Sequence, residues 1–296
     1  MTNASPTEES IAAVEASLEG EPRTAKRARD LSLMNYPATY LLLGINLVVF
    51  AVMFRLGPVP GLIRQHVWSQ LLTASFDTDT LIRFGATNSQ LILAGQWWRL
   101  VTGTFVHITV LHILLNMWCL WNLGLFGEPL LGRRGLVVVY LLTGTAGMLL
   151  SFAWAPMGTD MTVAGASGAV FGIAGILIVL LSNRKLAVPW NELRSLRRQV
   201  IFFAVANLAI GMAPGVLGMA TQSQMGALHL DPAALPHIDN SAHLGGLVAG
   251  LALGLPLFPR MTSGRSSYRQ RQRLTFAVAT LLLCLLAYAV AKAKMA

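Results

Sequence analysis

The chain reads as an all-α polytopic membrane protein, on three observations. Of its 296 residues 54% are hydrophobic and only 12% charged, about half the charged share of a typical soluble domain. Its mean hydropathy is +0.59. Apolar runs recur along it, with the basic residues in short blocks between them. A crossing helix needs roughly 20 largely apolar residues, and seven runs read as spans: 38–55, 104–126, 135–155, 165–182, 199–219, 241–258 and 275–291.

Residues 1–35 form a polar tail of mixed charge, Glu8 to Glu21 followed by Arg23 to Arg29. It shows no n-region, h-region and cleavage site, and its acidic residues argue against a transit peptide. A cytoplasmic extension is expected there. Residues 36–258 hold the first six runs, and residues 259–296 a basic linker and the seventh. The first two runs are joined by a long connection, 57–103, whose apolar stretches are too short to span. Trp97 and Trp98 near its end suit the lipid–water boundary. Cys119 and Cys284 each fall in an apolar run, which indicates neither a disulfide framework nor a zinc site.

The net charge of +9 reflects topology rather than nucleic-acid binding, because the basic residues flank spans instead of forming one face. With a cytoplasmic N-terminus, the blocks Arg23 to Arg29, Arg133 and Arg134, Arg184 to Arg198, and Arg260 to Arg273 all lie inside. Together they hold 16 of the 22 basic residues. The outer segments 155–164 and 221–240 hold none. The long first loop, with Arg55, Arg64, Arg83 and Arg99, is the exception that long loops permit.

In this orientation the second, fourth and sixth spans run from outside to inside. His107, His112 and Asn116 lie in the first half of the second, Ser167 in the first turn of the fourth, and His243 in the first turn of the sixth. Polar groups inside a span are costly without a partner or a task, and these share one depth in the outer half. Gly165, Gly168 and Gly172 on the fourth span face a similar series, Gly246, Gly250 and Gly254, on the sixth. Small residues four apart let helices pack closely in lipid, close enough for a serine to meet a histidine.

Each residue alone also suits a structural role: Ser167 a small packing residue, His243 a buried histidine bonded to a carbonyl, His112 and Asn116 an interhelical pair. Together they are expected to form a catalytic set. The His243 imidazole can take the Ser167 proton and return it to a leaving amine, and no carboxylate lies within either helix, so a Ser–His dyad is expected. His112 and Asn116, four apart on one helix face, can donate to a developing oxyanion together with the Ser167 N–H. His107 is expected to support packing. His66, His229 and His237 fall in outer loops. The spacing of helical zinc proteases is missing, so no metal or other cofactor is expected.

These residues resemble the rhomboid family of intramembrane serine proteases. The matching stretches are Gly95 to Arg99, His107 through His112 to Asn116, Gly165-Ala166-Ser167-Gly168, and Ala242-His243 followed by Gly246 and Gly250. They occur in the family's order over residues 38 to 258. The resemblance implies a rhomboid-like six-helix bundle with an additional seventh transmembrane helix. It makes Ser167 the nucleophile, His243 the base, and His112 and Asn116 the oxyanion donors. It gives Trp98 and Arg99 a role in stabilising the first loop and Glu128 that of a structural acid. Phe171 stands where some members place a tyrosine beneath the catalytic histidine.

The expected activity is that of a serine endopeptidase cutting in or near the transmembrane helices of single-span membrane proteins. Its partners are those substrates and the lipid bilayer, with no nucleic acid. The expected location is a bacterial plasma membrane, with the active site opening to the outer side. A catalytically silent client-binding protein would not need Ser167 and His243 together. A proton-conducting transporter would carry polar residues to both membrane faces.

Overall fold

The computed structural model describes residues 33–57, 75–186, 189–225, 239–260 and 264–296, with backbone alone for 210–225 and 260. Expectations for the tail up to residue 32, and for Arg64, His66, His229 and His237, lie outside the described residues.

Helix α1 (Pro37–Leu56) is the first span. Proline suits its first turn, where a backbone N–H would have no helical partner. The next free donors are met from a distance in sequence. Ala38 N donates to Glu128 Oε1 at 3.0 Å, and Thr39 N and Oγ1 donate to Oε2 at 2.8 and 2.7 Å. Glu128 is buried, and its charge is matched by three donors at the positive end of a helix.

The first loop then folds as α2 (Thr78–Arg83), β1 (Thr87–Asn88), α3 (Ser89–Leu93), α4 (Arg99–Thr102) and a 3-10 turn, Gly103–Phe105. Arg99 holds it together from within. Its Nη1 donates to the carbonyls of Ile82 and Ala86 at 2.7 and 3.0 Å, and its Nε donates to Gln96 Oε1 at 2.7 Å. The guanidinium lies 4.5 Å from the Trp98 ring centre, with Arg99 buried and Trp98 half exposed.

Helix α5 (Val110–Trp154) consists of two helical arms that meet in a kink at Gly132, whose φ of +75° is non-helical, three residues after Pro129. Proline and glycine are the usual causes of such a break. The two arms correspond to the second and third predicted spans. The second span begins at Val110, however, not at 104: the chain first makes the 3-10 turn, and Thr109 then caps the helix, its Oγ1 accepting from His112 N at 3.0 Å. His107 therefore precedes the helix rather than riding on it.

The remaining elements are β2 (Thr162–Val163), α6 (Ser167–Leu180), α7 (Trp190–Met225), α8 (Asn240–Leu257) and α9 (Arg265–Met295). Helices α7 and α9 extend the fifth and seventh apolar runs backwards into their basic flanks. Among the described residues the architecture is helical apart from one two-residue pairing, Thr87 with Val163 and Asn88 with Thr162.

Helix α6 lies at the centre, and nearly every side chain on it is buried. Its contact with α8 depends on glycine: a Cβ on Gly246 would strike the carbonyl of Gly168, and one on Gly250 the carbonyl of Gly172. In lipid, where apolar surfaces gain little by leaving solvent, such close backbone packing is what draws helices together. Helix α9 is pinned to α5 at both ends. Gln272 Nε2 donates to Leu131 O at 2.9 Å, and Lys294 Nζ to Ala155 O at 2.6 Å. Between these points Leu283, Ala287 and Val290 pack against Ile92, Leu100, Met148 and Phe152.

Candidate functional site

Ser167 is the first residue of α6, a helix of 14 residues, which rises only about 21 Å. A bilayer core is roughly 30 Å thick. With Arg184 and Lys185 just beyond the far end of α6, the irregular segment before Ser167 lies at membrane depth. Such backbone survives there only when its polar groups are satisfied or reach water. Here Gly165 N donates to Gly103 O at 3.0 Å, and Ala166 N donates to His107 Nε2 at 3.4 Å. The β1–β2 pairing ties the same segment to the first loop, helped by Asn88 Nδ2 donating to Asp160 Oδ1 at 2.6 Å.

Gly165 shapes the space beside the serine. Its φ is +138°, and a Cβ placed on it would lie 2.7 Å from His112 Cε1, 2.9 Å from His112 Nε2 and 3.8 Å from Ser167 Oγ. The imidazole edge of His112 and the Ser167 hydroxyl thus border one small volume that only glycine leaves open. His112 Nδ1 accepts from Ile108 N at 3.5 Å, which assigns the proton to Nε2, the nitrogen facing that volume. Asn116 stands one turn along, buried, with Nδ2 donating to His112 O at 3.0 Å. An amide carries two N–H bonds, so this contact leaves one available.

His243 lies in the first turn of α8. Its ring stacks on Phe171, four residues after Ser167, with centres 4.5 Å apart and planes 14° from parallel. The Gly168 position faces Ala242 O, 3.2 Å from where a Cβ would stand. The serine and the histidine therefore sit at the same end of two helices in backbone contact. Among the described residues no hydrogen bond joins them.

The structure brings Ser167, His112, His243, Phe171, Gly165 and Gly168 to one place, with Asn116 one turn away and Gly246 and Gly250 holding α8 against α6. His107 belongs to the supporting wall: its ring lies 5.1 Å from that of His112 and its Nε2 holds Ala166 N. Glu128, Trp98 and Arg99 act away from the serine, on α1 and the first loop. Sequence reasoning missed Asp239, the N-cap of α8, four residues before His243, and Ser151 of α5, which donates to it. An aspartate just before an apolar helical run is an N-cap signal; nothing in the sequence links it to Ser151.

Chemically, the arrangement offers a hydroxyl beside the edge of one imidazole, with a second imidazole, that of His243, on the adjacent helix. The Rhomboid domain family matches residues 94–260, more than half of the chain. The chain is 36% identical over 187 residues to rhomboid protease GluP of Bacillus subtilis (strain 168), covering 62% of this chain and 31% of that protein. It is 30% identical to rhomboid-like protease 2 of Toxoplasma gondii, covering 68% and 61%. It is 29% identical to rhomboid protease AarA of Providencia stuartii, covering 59% and 61%. The chain spans less than two thirds of the length of each of these relatives. With its paired glycines, its serine at a helix start and its histidine on the neighbouring helix, the chain belongs to the rhomboid family and is an integral membrane protein.

Proposed function

We propose that this protein is an intramembrane serine endopeptidase using a Ser167–His243 dyad. The observation that carries the reading is the glycine-sized volume beside Gly165, bordered by both Ser167 Oγ and His112 Nε2. Ser167 Oγ attacks the scissile carbonyl carbon while His243 takes its proton. The oxyanion accepts from His112 Nε2–H, Asn116 Nδ2–H and Ser167 N–H, the last being free because it opens a helix. The intermediate collapses, the C–N bond breaks, and the amine leaves with the proton from His243. Water, deprotonated by the same imidazole, then hydrolyses the acyl-enzyme.

A transmembrane helix hides its carbonyls in its own hydrogen bonds, so the substrate must unwind locally. Single-span proteins with Gly, Ala or Ser near one membrane boundary meet that need. The distribution of basic residues favours a cytoplasmic N-terminus and a site opening to the outer side of the membrane. The test is cleavage of a single-span reporter in proteoliposomes. Ser167→Ala and His243→Ala should each abolish it with the fold intact; full activity in either would refute the dyad.

A further inference from the structure

Among the described residues, the buried Nδ1 of His243 has no hydrogen-bond partner. In a dyad without a third member, something else must fix the imidazole. Stacking on Phe171 sets the tilt of the ring, but stacked rings can slide. The position of the ring then depends on the first turn of α8, the part of a helix most prone to fray.

That turn is anchored. Asp239 Oδ1 accepts from Ser241 N at 3.0 Å and Ala242 N at 3.1 Å, and Asp239 O accepts from His243 N at 3.3 Å. Its other carboxylate oxygen accepts a hydrogen bond from Ser151 Oγ on α5. Ser151 is fully buried, and its hydroxyl bonds this carboxylate on another element. The carbonyl of Ala242, between the cap and the histidine, is wedged against Gly147 of α5 and Gly168 of α6. One carboxylate thus links the start of the histidine helix to a neighbouring helix.

We propose that Ser151 and Asp239 form a positioning pair that fixes the first turn of α8, and with it the His243 imidazole, relative to Ser167. The proposal rests on the dyad reading. The pair touches no substrate; it acts through the histidine. Its signature is a loss in turnover rather than in substrate binding, shared by the two residues rather than summed.

The test uses the full chain in proteoliposomes, with kcat and KM for a single-span reporter normalised to Ser167 titrated by a fluorophosphonate. Ser151→Ala removes only the link. Asp239→Ser keeps a helix cap but is too short to reach Ser151. Each should lower kcat about ten-fold with KM nearly unchanged, as expected for losing a hydrogen bond to a charged group. The double variant should be no worse than either single, since both break one contact. Ser151→Thr, which keeps the hydroxyl, should restore turnover. Unchanged kcat in the single variants, or multiplied losses in the double, would overturn the pair. Should Asp239→Ser fail to fold, Ser151→Ala against Ser151→Thr decides alone. Failure of wild-type Ser167 to react with the probe would instead sink the dyad itself, so the two failures are distinguishable.

Discussion

Gly165 carries a double constraint. Its φ of +138° is one that residues with a Cβ rarely adopt, and the place a Cβ would fill is the space between His112 and Ser167. Gly165→Ala is therefore expected to cut kcat by about 10²-fold or more, the scale of losing one oxyanion donor, while Ser167 remains present and folded. Comparable turnover in the alanine variant would mean that this space is not where the reaction occurs. Ser167, His112 and His243 were legible in the sequence because polar side chains stand out in lipid-facing runs. Asp239 carries an N-cap signal, an aspartate just before an apolar helical run, but nothing in the sequence ties it to another helix. Ser151 was hidden because a small hydroxyl in an apolar run reads as packing.

Between helices, glycine and buried polar contacts set the geometry. Glu128 joins the middle of α5 to the start of α1 through three donors. Glu128→Ala leaves the N–H groups of Ala38 and Thr39 without acceptors in a buried setting, at a cost of about 2–3 kcal/mol. A clear fall in the thermal midpoint of the detergent-solubilised protein is expected, with KM for substrate little changed in the folded fraction; an unaltered midpoint would contradict the docking role. The order of the spans could be read from apolar runs and basic blocks, but their ends could not. Residues 104–109 are apolar enough to continue a helix, yet Thr109 caps it, and the 3-10 turn before it places His107 in the loop. The 14-residue length of α6 was likewise hidden, because Gly165 and Ala166 do not interrupt the hydropathy.

As a whole, the molecule surrounds a short central helix with longer ones, so that Ser167 follows a segment of irregular backbone that needs support. The first loop, the β1–β2 pairing and His107 supply that support, and α9 braces the far side of α5 against Ile92 and Leu100 of the same loop. A two-residue strand has no periodicity to read, which is why the link between the first loop and the segment before Ser167 emerges only in three dimensions. On the proposed function, chemistry at Ser167 is what all of this positions. Reaction of the reconstituted protein with a fluorophosphonate, followed by mass mapping of the adduct, should find the phosphonyl group on Ser167 in the wild type. It should be absent in Ser167→Ala and strongly reduced in His243→Ala. An unmodified Ser167 in folded wild-type protein, or equal labelling with and without His243, would contradict the account.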